Sequence, residues 1–423
     1  MTDNEVTIKK TQRNKRKARK IALLFFLTGI TTILLIVETY AWFIGTASVK
    51  TSEFQIGVSS GDSLMLSLDG DSWDDELTLT EEAIKGTATS GANAYDGNTN
   101  IWPSADTGLI PLSTIGESDP AANGRLKLYG KSSITATGGG YRLLSTRINN
   151  YGTTGEGKLV SEQDGYVAFD LFIRNGEGVD YISAYNQADD EALYLTTDSK
   201  VTAVASGAAS YGIENSVRVA FVQIGRIASN GATAGSAAEI GCSATTEGSG
   251  LNNTSLCNQP NSTTIWEPNE KAHHTDLITY FNKVCKKKTA SADATGGYTY
   301  SEACTPLKNE EAVKTFAVAK NITSGTYVDV YDGLNGFTPT TENGGPFLKE
   351  TATFTDTMKN TQGAERPAFM YLAPNSITKI RVYIYLEGQD VDNYDLASLG
   401  KTVKIQFGFT KDQWDLASTT NAS

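Results

Sequence analysis

Two histidines, His273 and His274, and four cysteines, Cys242, Cys257, Cys285 and Cys304, are the scarcest side chains of this 423-residue chain that could bind a transition metal or drive nucleophilic chemistry. A zinc hydrolase usually sets two histidines one helical turn apart, with a glutamate between them, so that both imidazoles face one ion. His273 and His274 are adjacent and project to different sides of a helix or strand, so they cannot build that site. No Gly-x-Ser-x-Gly elbow and no Gly-x4-Gly-Lys-Ser/Thr phosphate loop occurs, and a serine nucleophile would have to take its base from the same histidine pair. The histidines read as exposed polar residues at the head of a short helix, and the chain as a protein without catalysis.

Carboxylates are the other chemical feature. Asp69, Asp71, Asp74, Asp75 and Glu76 crowd the turn after an apolar stretch at 64–68, and Glu387, Asp390, Asp392 and Asp395 follow another at 380–386. Acidic residues at alternate positions of a loop supply the several oxygens that calcium prefers. Neither cluster matches the twelve-residue helix-loop-helix pattern, so solvated acidic turns are the competing reading, and no cofactor is expected beyond this calcium.

The cysteines speak to compartment. An even count in an exported chain predicts disulfides. Sequence order suggests Cys242 with Cys257 and Cys285 with Cys304, each closing a short loop, although three connectivities are possible. The wide spacing within each pair, with no close Cys pair, argues against zinc.

The elements that must position these residues read as strands. Val167, Phe169, Leu171 and Ile173 alternate with Ala168, Asp170 and Phe172; Ile380, Val382, Ile384 and Leu386 with Arg381, Tyr383, Tyr385 and Glu387; Val403, Ile405, Phe407 and Phe409 with Lys404, Gln406 and Gly408. A period of two predicts one buried and one wetter face. The stretch 216–227 is apolar on both faces and belongs centrally, under other layers. Shorter strands are expected at 54–58, 64–68, 193–196, 200–204, 316–319 and 327–331. Stretches 86–106 and 135–140 read as long surface loops. Many short strands between Gly, Asn, Asp and Ser clusters predict an all-β, antiparallel, jelly-roll-like β-sandwich. Residues 229–307, with all four cysteines, both histidines and a helix around 274–285, read as a disulfide-bearing insertion into a domain spanning 42–423.

The front of the chain sets the compartment. Eight basic residues against two acidic ones among the first twenty precede an uncharged apolar run at 21–37, so the amino end stays in the cytoplasm and the remainder is exported. Seventeen residues span roughly 25 Å as a helix, which leaves a cleaved signal and a single-pass membrane anchor both open. Small residues three and one before a possible cut occur twice, at Thr39 and Ala41 before Trp42 and at Gly45 and Ala47 before Ser48, and favour cleavage over an uncut anchor. The formal charge is −12, and the six positive units at the front leave −18 for the exported part. Such a surface does not bind nucleic acid and suits a cationic partner or divalent cations.

Thr39-Tyr40-Ala41-Trp42-Phe43 after the apolar run, then the strand Phe54-Gln55-Ile56-Gly57-Val58, resembles the start of exported precursors of the TasA/camelysin family. The closing strand 403–409, followed by Gln413-Trp414, is similar to the last strand of that family. The resemblance implies cleavage between Ala41 and Trp42 by a signal peptidase of the SipW type. It further implies a jelly roll secreted by a Gram-positive-type bacterium, and self-association into fibres of the biofilm matrix. In such fibres the amino-terminal segment of one subunit, here 42–58 with Trp42, Phe43, Phe54, Ile56 and Val58, completes the sheet of the next. A minor fibre component contacting other matrix or surface proteins, a membrane-tethered surface binding module, and a camelysin-like metalloprotease are the alternatives.

Overall fold

The computed structural model describes residues 49–59, 63–87, 100–114, 116–137, 140–147, 164–178, 180–186, 188–204, 212–242, 253–259, 261–270, 354–388 and 402–412, together with short strands at 290–292, 298–300, 316–318 and 348–350. The strands that build the molecule are, in chain order, β1 (Lys50–Val58), β2 (Leu64–Ser67), β3 (Glu76–Leu79), β4 (Val167–Asn175), β5 (Glu191–Leu195), β6 (Lys200–Val204), β7 (Val217–Ala228), β8 (Thr263–Glu267), β9 (Met370–Leu372), β10 (Ser376–Glu387) and β11 (Thr402–Thr410). The helical pieces are short, and among the described residues none is long and apolar enough to cross a membrane. The apolar run at 21–37 lies outside the described residues.

Two open sheets face each other in a sandwich-like, mostly β arrangement. The six-stranded sheet runs β9-β5-β11-β1-β3, with β6 beside β5 on the same edge of β11. The ten-stranded sheet is centred on β7, β10 and β4. Both are mixed, which corrects the antiparallel expectation: β1 lies parallel to β11, Pro111–Ser113 parallel to the end of β10, and Phe354–Thr355 parallel to β8. The reason for the first is topological. The first and last described long strands enter the sheet from the same end, Lys50 opposite Thr402 and Val58 opposite Phe409.

The main core fills the space between the sheets. Phe54 and Ile56 of β1, Ile405 and Phe407 of β11, and Val219 and Phe221 of β7 meet there, all at most 1% exposed. Phe221 sits edge-on to Phe369, Phe407 and Phe409 at 4.7–5.9 Å, a geometry that aromatic quadrupoles favour. Strand β11 keeps its alternation as far as Phe407, with Thr402, Lys404 and Gln406 half-exposed, and is buried on both faces from there to Thr410.

Strands β4 and β10 do not keep theirs. All twelve residues of β10 are buried, and Asp170, Arg381, Tyr383 and Tyr385 have no wetter face. A second layer covers them: Leu112, Leu126, Leu128, Tyr166 and the cystine Cys242–Cys257 form another core against the outer side of the large sheet. The expectation of two-sided burial for 216–227 agrees with β7, which is buried along eleven of its twelve residues. The segment 135–140 does not form a surface loop, because Tyr129–Thr137 and Gly140–Arg147 pair as a hairpin at the edge of the large sheet. The described start of the stretch 229–307 is woven into the same sheet through β8, whose Trp266 reaches the main core.

The Cys242–Cys257 bridge joins Cα atoms 5.4 Å apart and fastens this outer layer to β7, where the Cys257 Sγ sits against the Ile224 carbonyl. Gly124, at φ +76°, passes so close that an added Cβ would lie 2.5 Å from Ile224 and 2.9 Å from the Cys242 sulfur. Replacing both cysteines by alanine is expected to cost about 3 kcal/mol, from the loop-closure entropy of a cross-link spanning 15 residues. A denaturant titration of the double variant beside the parent measures it. Cys285 and Cys304 lie outside the described residues.

Candidate functional site

Ala41, Trp42, Phe43, the histidine pair, Asp390, Asp392 and Asp395 lie outside the described residues. The remaining predicted residues fall in three places. Glu387 ends β10 and is buried. Asp69 caps its own turn. One of its carboxylate oxygens accepts from the Asp71 and Ser72 amides and the Ser67 hydroxyl at 2.8–2.9 Å, the other from the Ser72 hydroxyl. Among the described residues no group of three or more His, Cys, Asp or Glu converges as a metal site.

The capped turn has a pH signature. Partial burial pushes the Asp69 carboxyl up, but the hydrogen bonds from Asp71, Ser72 and Ser67 outweigh it and hold the group below its ordinary value of 3.8. A lowered carboxyl stabilises the fold above that ordinary value and loses the contribution as pH falls through the folded one. The expected outcome is that Asp69→Asn is less stable than the parent at neutral pH and that the difference shrinks on acidification, seen by thermal unfolding across a pH series.

The third place is β1. It is bonded along both edges, parallel to β11 and antiparallel to β3, with Phe54 and Ile56 fully buried and Val58 packed against the same core. Gly57 and Gly408 lie opposite one another, and an added Cβ on Gly408 would stand 2.8 Å from the Thr196 hydroxyl and 3.1 Å from the Gly57 carbonyl. A side chain at Gly408 would have to displace Thr196, whereas Gly57 would meet only the Asp75 carbonyl at 3.7 Å.

A concave site that sequence reading missed opens at the side of the small sheet. The cleft has a volume of about 460 Å³ and is walled by Val201, Thr202 and Ala203 of β6, by Glu214 and Asn215 before β7, and by Asn269 and Glu270 after β8. Its last wall is the one-turn helix Asp356–Lys359 with Asn360. These positions are far apart in the chain, and each looks locally like a turn.

Hydrogen bonds hold the walls. The Glu270 carboxylate accepts from the Thr357 amide at 2.6 Å and from the Thr357 hydroxyl, capping the short helix. Asp356 accepts from the Trp266 indole at 2.9 Å and from the Asn269 amide at 3.2 Å, and the Lys359 ammonium lies 3.1 Å from it. Lys359 also donates to the Ser199 carbonyl and sits 5.6 Å above the Trp266 ring. The Asn269 side chain donates to the Val201 carbonyl at 3.1 Å, tying β6 to the turn after β8. No protein-family model, curated protein or solved structure matches this chain. The geometry therefore stands alone: a polar, acid-lined cleft beside a strand, and the first described strand built into the sheet.

Proposed function

We propose that this chain is an exported structural protein of the cell surface or extracellular matrix, without catalysis, which self-associates into fibres through its amino-terminal strand. In this reading the sandwich is a jelly-roll variant, the run at 21–37 is the export or anchoring helix, and a signal peptidase cuts between Ala41 and Trp42. The observation that carries it is the lodging of β1, the first described strand. Its main chain is laddered on both sides and Phe54 and Ile56 fill the core, so an equivalent strand from a neighbouring copy would find the same partners. Where the rotation between copies joined head to tail does not close a ring, the assembly grows as a filament.

Gln55 and Gln406 stand opposite each other across β1 and β11, both half-exposed. In the Gln55→Cys, Gln406→Cys variant under mild oxidation, strand exchange gives a reducible ladder of covalent multimers on a denaturing gel. A product that stays monomeric, cross-linked within one chain, at protein concentrations where the parent shows filaments would sink the exchange. Replacing Ala41 by tyrosine is expected to keep the protein in the membrane fraction and prevent assembly.

A further inference from the structure

The cleft beside β6 contains a sheet edge. Along β11, main-chain groups turn alternately toward β1 and toward β5 and β6: the Phe409 carbonyl accepts from Ser59 on the β1 side, the Gly408 carbonyl from Thr196 on the other. The register sets Thr202 opposite Lys404, and Val201 and Ala203 opposite Ile405 and Val403. Thr202 therefore ladders with β11, whereas Val201 and Ala203 direct their amides and carbonyls away from it, into the cleft. The Val201 carbonyl is met by Asn269. The Ala203 amide and carbonyl have no main-chain partner on that side among the described residues. Next along the chain from cleft residues Ala203 and Thr357, Val204 and Met358 expose 44% and 39% of their surface, two of the few large apolar side chains to do so among the described residues.

We infer that this edge is a docking site for an extended peptide that adds as a strand to β6, with lysine or arginine at alternate positions. An open edge recognises main chain of any sequence, and the walls then select side chains. Side chains at every second position of the added strand point to one side. On the cleft side they meet the carboxylates of Glu214, Glu270 and Asp356, three acids against the single ammonium of Lys359, which is held by Asp356 and the Ser199 carbonyl. Cationic side chains match that wall, and the apolar residues between them cover Val204 and Met358. A second copy of this chain is disfavoured as the occupant here, though not at β1, because its formal charge of −12 would face three carboxylates instead of the apolar core that receives Phe54 and Ile56.

The probe is a fluorescent, end-blocked hexapeptide of alternating lysine and valine, with glutamate in place of lysine as the comparison, titrated by anisotropy into the exported chain at low salt. The lysine peptide is expected to bind at least about tenfold tighter than the glutamate one, and to lose affinity as salt rises. Ala203→Pro removes an amide that the β11 ladder does not use, so the sheet should persist, which circular dichroism checks, while binding falls at least about tenfold. If that variant fails to fold, Glu214→Lys reverses charge without touching the edge and is expected to weaken the lysine peptide and favour the glutamate one. Absence of binding at about 1 mM peptide, equal binding of both peptides, or unchanged affinity in the folded Ala203→Pro variant overturns the inference. So does self-association of the parent that Ala203→Pro abolishes and the peptide does not displace, since the occupant is then a second copy. None of these outcomes bears on the β1 cross-link, so the two readings fail separately.

Discussion

Replacing Asp170 by asparagine is expected to destabilise the fold by about 3–5 kcal/mol, the usual consequence of removing one partner from a buried ion pair. Asp170 on β4 lies directly opposite Arg381 on β10. The Arg381 guanidinium grips both its oxygens, at 2.7 and 3.2 Å, and the Lys379 ammonium stands 3.2 Å away, with every side chain of the triad 0% exposed. Asparagine keeps the shape but leaves two cations facing each other out of water. The guanidinium would retain the Asn123 carbonyl at 2.7 Å, and the ammonium the Phe172 ring 5.5 Å away, neither of which neutralises charge.

The same arithmetic assigns the opposite behaviour to Lys379→Met. One carboxylate faces two cations, so removing the ammonium leaves the Arg381–Asp170 pair intact, and the cost is expected to stay within about 1 kcal/mol. Combining it with Asp170→Asn should recover part of the loss, because only one buried cation then remains. Denaturant midpoints at unchanged slope, followed by tryptophan fluorescence, measure all three. A cost below about 1 kcal/mol for Asp170→Asn would mean that water reaches the triad and that the outer layer does not seal the large sheet.

That triad also marks where sequence reading stopped. Alternation located β4, β10 and β11, and the apolar run of β7 announced burial on both faces, because each signal is local and depends on one strand. Arg381 and Asp170 sit at positions that alternation assigns to a wetter face, and Lys379 lies just before the alternating run. Their burial depends on an outer layer assembled from residues near 101–128 and 237–257, and no periodicity in β10 reveals it. The Cys242–Cys257 pairing was suggested by order along the chain and is present. The parallel entry of β1 beside β11 joins strands at opposite ends of the sequence, which turn chemistry and spacing do not encode. The cleft was missed for the same reason: Thr202, Asn215, Asn269 and Asn360 are ordinary turn and strand residues until the fold gathers them.

Trp266→Ala is expected to have the second large effect, about 3–5 kcal/mol, because a fully buried indole leaves a cavity that the rigid sheets cannot close. Its ring packs edge-on to Phe407 at 6.4 Å, while its N–H, directed outward, donates to Asp356. One side chain thus couples the core to the wall of the cleft. Trp266→Phe separates the two roles. It keeps most of the apolar contact and removes only the donor, for an expected cost of about 1–2 kcal/mol. Asp356 would still hold the Asn269 amide and Lys359, so the short helix should remain. A cost no larger than about 1–2 kcal/mol in Trp266→Phe, together with altered binding of the lysine peptide, would place the indole N–H in the cleft's geometry. If Trp266→Ala also cost less than about 1 kcal/mol, β8 would not be part of the main core, and the cleft wall it carries would not be fixed by it.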